Sequence, residues 1–153
     1  MDFTHWSTQP IERLIQKRYV QKTNSKPAGF WFEVDGDWQR WCEGESFRLE
    51  TFRFSYSLDL DLSRFLFLKT ISDIDSFTSQ WTKGTEYNWE VYWQLLHRAY
   101  SGIIIAPYQW ERRYTDHTSW YYSWDCASGV VWNISAVRSF KLNEVRCEET
   151  QNQ

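Results

Sequence analysis

Gly102-Ile103-Ile104-Ile105-Ala106-Pro107 is the stretch that decides the fold. An unbroken apolar run of this length, ended by a proline, reads as a strand covered on both faces. Something must therefore pack on each side of it. Directly upstream, Asn88 to Tyr100 sets Trp89, Tyr92, Trp93, Leu96 and Tyr100 at helical spacing, which predicts an amphipathic helix. Before that come a buried strand over Phe65 to Leu68 and a helix over Ile71 to Trp81. Phe47 to Leu60 alternates like a strand, with a slip of phase near Thr51 that predicts a bulge or bend. Downstream, Tyr114 to Ser119 reads as a loop. Tyr121 to Cys126 and Val130 to Asn133 read as strands joined by an Ala127-Ser128-Gly129 turn. At the N-terminal end, Phe3 to Trp6 is a short strand. Pro10 then opens a helix striped by Ile11, Leu14, Ile15 and Tyr19. Thr23 to Ala28 is a loop, Gly29 to Val34 an aromatic strand, and Trp38 to Cys42 a turn or two of helix. Helices that do not alternate one-to-one with strands make this an α+β fold. The expectation is one compact domain over residues 1–147, with short mixed or antiparallel strands and two or three helices. A polar tail covers 148–153, and neither an internal repeat nor a domain linker is visible.

The chain of 153 residues carries 11 tryptophans, and aromatics make up 20% of it. Each such ring buries a large area and its N–H or O–H wants a partner. Trp6, Trp31, Trp124 and Trp132 punctuate predicted strands and are the ones set beside polar residues; the other seven are left to packing. A net charge of −3 argues against strong generic binding of phosphates, while leaving room for a specifically docked nucleic acid. No apolar run approaches the roughly 20 residues that span a bilayer. Met1-Asp2-Phe3-Thr4-His5 lacks the basic and apolar regions of a signal peptide. Three cysteines, Cys42, Cys126 and Cys147, show no metal-ligand spacing and read as reduced, buried thiols. A cytoplasmic protein is the expectation.

Dinucleotide, phosphate-loop, zinc-protease and serine-hydrolase signatures are absent from the sequence. His5, His97 and His117 are far apart with no carboxylate at ligand spacing, so no metal centre is expected. Cys126 has no histidine near it in sequence and reads as an inert thiol. His5-Trp6-Ser7 is different. Residues two apart on a strand share a face, and a histidine with a serine can hold the adjacent hydroxyls of a ribose.

The order of these segments resembles the ADP-ribosyltransferase fold in its histidine-first branch, that of diphtheria toxin and poly-ADP-ribose polymerases. The matching pieces are His5-Trp6-Ser7, the segment from Pro10, Lys26-Pro27-Ala28-Gly29-Phe30-Trp31-Phe32, the strand from Phe47 and Gly102-Ile103-Ile104-Ile105. Ser128-Gly129-Val130-Val131-Trp132-Asn133, running on to Val137-Arg138-Ser139, is similar to the family's closing segment. The resemblance implies a split sheet and a mono-ADP-ribosyltransferase that uses NAD as substrate, with a protein or nucleic-acid acceptor and no metal. It implies that Trp31 or Trp6 stacks on nicotinamide and that His5 and Ser7 hold the ribose. Gly29 and Ser128 would border the NAD site. The family's glutamate falls on Ser128, so the acid must come from elsewhere: Asp125 or Glu111. With neither in reach, the domain would be a non-catalytic aromatic-rich module binding a nucleotide, a sugar or a protein partner. A third reading is an interaction protein that docks a partner on an exposed aromatic patch.

Overall fold

The computed structural model describes residues 1–45 and 51–146. The polar tail, Cys147 and the start of the strand expected from Phe47 lie outside the described residues. The chain is a mixed α/β domain built on one seven-stranded sheet of order β4-β5-β6-β2-β1-β3-β7. The strands are β1 (Phe3–Ser7), β2 (Phe30–Val34), β3 (Phe54–Leu60), β4 (Phe65–Leu68), β5 (Gly102–Ile105), β6 (Ser128–Val131) and β7 (Val137–Val145). Among the described residues only β4 and β5 run parallel; every other pair is antiparallel.

β5 is the strand the apolar run required. Ile103, Ile104 and Ile105 are each fully buried. Ile103 and Ile105 pack under three helical elements on one face: α2 (Ile71–Trp81), α3 (Trp93–Ala99) and a 3-10 segment, Asp116–Ser123. Phe77, Trp93 and Trp120 interlock there, with Phe77 ring centroids 5.9 and 4.9 Å from the two indoles. Ile104 belongs to the opposite core, with Phe3, Phe32, Leu58, Phe65 and Val131. The sheet covers that second face by curling on itself. Phe140 of β7 meets Phe30 of β2 at 6.1 Å although β1 and β3 lie between them.

Glycine is needed where strands carry large rings. A Cβ on Gly129 would stand 2.4 Å from the Phe32 ring and 2.9 Å from the Ile103 carbonyl oxygen. Asp35 and Gly36, both at positive φ, turn β2 into α1 (Asp37–Gly44). α2 is held at its start by a capping box between Thr70 and Asp73.

Several expectations are corrected. The segment from Pro10 is irregular, not helical. A helix would set Arg13 against Lys17 and Arg18 against Lys22 as like-charge neighbours. The chain instead ties its polar groups to distant ones: Ile11 N–H donates to Tyr56 Oη at 2.6 Å, and Gln16 Nε2 to the Trp132 carbonyl at 2.8 Å. Tyr121 to Cys126 is not a strand. Trp120, Tyr121 and Trp124 are all buried, a spacing that suits a helical turn and not period two. The helix expected from Asn88 starts at Trp93, because Val91 bridges Asn24 in extended geometry. The expected split sheet is one continuous sheet, since β1 hydrogen-bonds to both neighbours. It does fork locally: β1 matches β3 over five residue pairs but β2 over only two. Near Thr51 the described chain is not a strand; the bulges lie further on, at Ser55/Tyr56 and Asp59/Leu60 against β7.

Candidate functional site

The fork opens a cavity. Past Thr4 the backbones of β1 and β2 part, and a space of about 280 Å³ lies at the parting. Two cross-strand rows lead to it on the helical face. One reads Leu68, Ile105, Ser128, Glu33, Thr4, Ser57 from β4 to β3, apolar at one end and polar at the other. The next row runs Leu66, Ile103, Val130, Trp31. Alternation along β1 and β2 brings Thr4, Trp6, Trp31 and Glu33 into the wall. Trp38, Phe52, Trp124, Asp125, Cys126 and Lys26 extend it.

His5, Trp6, Trp31, Asp125 and Ser128, five of the residues singled out in the sequence, border this one space. His5 stacks on Phe30 at 3.8 Å, and its Nδ1–H donates to the Trp31 carbonyl at 2.5 Å, leaving Nε2 as an acceptor. Burial holds its imidazole below the ordinary histidine value, against the pull of that hydrogen bond. Trp31 lies 4.9 Å from Trp124, with the Lys26 ammonium 5.6 Å from its own ring. Ser128 turns its hydroxyl back to the Cys126 carbonyl at 3.1 Å. Asp125 pairs with Arg113 at 3.0 Å, and Arg113 also donates to Tyr108 Oη and the Trp124 carbonyl.

Three expected site residues stand outside the cavity wall. Ser7 closes a turn by donating to the Gln9 carbonyl at 2.6 Å. Gly29 is a packing glycine, where a Cβ would meet Val130 at 2.5 Å. Glu111 is exposed on a 3-10 turn, Trp110–Arg112. Trp132 is core: its indole N–H donates to the Tyr100 carbonyl at 2.7 Å.

Glu33 is the residue that sequence reading missed. It is 4% exposed, and its two carboxylate oxygens accept from Trp6 Nε1 and from the Gln39 backbone N–H, each at 2.9 Å. Burial raises its carboxyl above the usual range, opposed by those two hydrogen bonds and by Arg40. The available signal was a lone acid inside Phe30-Trp31-Phe32-Glu33-Val34, where an apolar strand would otherwise continue.

Neither a protein-family model, nor a curated protein, nor a solved structure matches this chain.

The Cys126 thiol is pushed up to about 12 by burial, then by Asp37, Glu33 and Asp125, so it is a neutral wall group at physiological pH. Among the described residues no group of three His, Cys, Asp or Glu side chains is set to hold a metal ion. Among them, too, no helix is long and apolar enough to cross a membrane. The Trp124 indole N–H is buried without a hydrogen-bond partner. Such a donor costs about 1–3 kcal/mol when left unmade.

Proposed function

We propose that this cavity binds NAD and that the domain transfers ADP-ribose from it to a protein or nucleic-acid acceptor. One observation carries the reading: His5, Trp6, Trp31, Asp125 and Ser128, drawn from three distant parts of the chain, border one aromatic cavity. The chemistry asks for flat faces and negative charge. The C1′–N bond to nicotinamide breaks heterolytically, its electron pair neutralising the pyridinium, and positive charge spreads over C1′ and O4′. Indole faces at Trp31 and Trp6 suit a cationic pyridinium by cation–π attraction. Two carboxylates, Glu33 and Asp125, border the space and favour the developing cation. A lone pair of the acceptor then bonds C1′, and the acceptor's proton passes to a carboxylate or to water. The neutral His5 Nε2 accepts from a ribose hydroxyl. The test is nicotinamide release from NAD in buffer, with water as acceptor, and with single-stranded DNA or denatured casein added. Release above a heat-treated control is expected in at least one condition.

A second reading, a non-catalytic nucleotide-binding module, is favoured by Ser128 bonding back to its own loop and by Asp125 being neutralised by Arg113. It predicts quenching of tryptophan fluorescence by NAD with no NAD consumed.

A further inference from the structure

Resting on the transferase reading, we infer that Glu33 is the charge-stabilising catalytic carboxylate of this domain and that it works from β2. The oxocarbenium-like state needs a fixed negative charge beside C1′, in a site that excludes water. Among the described residues two carboxylates line the cavity, and of these Glu33 is the one both buried and free of a cationic partner at hydrogen-bond distance. Asp125 is a third exposed, and its charge is spent on Arg113 at 3.0 Å. Glu33 is 4% exposed and its hydrogen bonds come from neutral donors, Trp6 Nε1 and the backbone N–H groups of Gln39 and Trp38, with Arg40 acting only from a distance. With the Trp38 backbone as a third donor, the carboxylate keeps one acceptor position for a ribose hydroxyl. It is also tied to the ring that would bound the nicotinamide, since the Trp6 indole donates to it.

Register gives the second, independent support. Glu33 and Ser128 are directly opposed across the β2–β6 ladder. Opposed residues in an antiparallel pair share a face, with Cβ atoms about 4.5–5.5 Å apart. The carboxylate therefore stands one strand away from Ser128, over the same floor. During the step Glu33 forms no bond to C1′ and keeps its charge. The bond electrons leave with neutral nicotinamide, and the acceptor's proton goes to water.

The experiment compares NAD cleavage, with water as acceptor, and NAD affinity by tryptophan quenching. Wild type, Glu33→Gln, Glu33→Asp and the exchange Glu33→Ser with Ser128→Glu are measured side by side. Glu33→Gln is expected to lower kcat by about 100-fold, the scale of losing one preorganised electrostatic partner, with affinity changed by less than about threefold. Glu33→Asp, which keeps the charge, should be intermediate. The exchange, which returns a carboxylate to the same floor from β6, should recover at least about a tenth of wild-type turnover. Wild-type turnover retained in Glu33→Gln overturns the assignment while leaving the transferase reading intact. A wild type that quenches with NAD but never releases nicotinamide overturns both, and that outcome is distinct from the first.

Discussion

Replacing Trp6 by Phe isolates the hydrogen bond that holds Glu33. The change keeps an aromatic ring in the cavity wall and removes the donor 2.9 Å from Glu33 Oε1. A hydrogen bond to a charged partner contributes about 1.5–3 kcal/mol, and one to a neutral partner about 0.5–1.5 kcal/mol. The cost of Trp6→Phe therefore depends on whether Glu33 is ionised. With its carboxyl raised above the usual value, Glu33 is protonated in the folded protein at pH 4. The charge it gains as pH rises leans on Trp6 and Gln39. The direction follows from linkage. A raised folded-state value means that Glu33 contributes most stability below the unfolded carboxylate value of about 4.3, and that this is lost as pH rises through the folded value. Trp6→Phe raises that value further and deepens the loss. Packing lost with the indole is the same at both pH values, so the difference between them reports the hydrogen bond alone. We expect urea unfolding followed by circular dichroism to show Trp6→Phe costing about 1 kcal/mol or more extra at pH 8 than at pH 4. In a Glu33→Gln background the pH-dependent part should vanish, giving a coupling of about 1–2 kcal/mol at pH 8. An equal cost at both pH values, or an unchanged cost beside Glu33→Gln, refutes the reasoning.

Other consequences are separable from this one. His5, held neutral by burial, contributes stability above its ordinary value of about 6.5 that is lost as pH falls below it. His5→Asn should flatten the fall in urea midpoint between pH 7.5 and 5.5, and parallel curves would count against the burial argument. Gly129→Ala, pressed against Phe32 and the Ile103 carbonyl, should cost about 1–3 kcal/mol. Gly44→Ala has open space and should stabilise by up to about 1 kcal/mol, so thermal midpoints should move in opposite directions. Trp120 is fully buried and donates to Thr78 Oγ1 at 3.0 Å, so Trp120→Ala should cost about 3–5 kcal/mol in denaturant titration. Trp110→Ala, at a ring 64% exposed, should stay within about 0.5 kcal/mol of wild type.

Elements whose residues are sorted by their own period were legible in the sequence. β1, β2, β4, β5 and α2 fall where alternation, apolar runs and apolar spacing set them. β7 was missed as a strand, although Phe140 and Leu142 alternate with Lys141, because most of it is exposed and its apolar signal is thin. The segment from Pro10 misleads because its Ile11, Leu14, Ile15 and Tyr19 spacing is helical, yet Ile15 is 63% exposed and no face is buried. His5, Trp6, Trp31, Asp125 and Ser128 were read off the chain and come together at the cavity. Glu33 was not: a lone acid in an apolar strand marks the position but does not say whether it is buried and hydrogen-bonded or solvated.

The run from Gly102 to Pro107 fixes a strand that must be covered on both sides, because every residue in it gains by leaving water. That much belongs to the sequence alone: a layered fold with a deep central strand and an aromatic surround. Only the tertiary structure decides what the polar minority does. The fork between β1 and β2, the opposition of Glu33 and Ser128, and the pairing of Asp125 with Arg113 join residues from 12 to 95 positions apart. The charge and hydrogen bonding of a buried acid depend on such neighbours, which are set by strand register and not by the acid's own place in the chain.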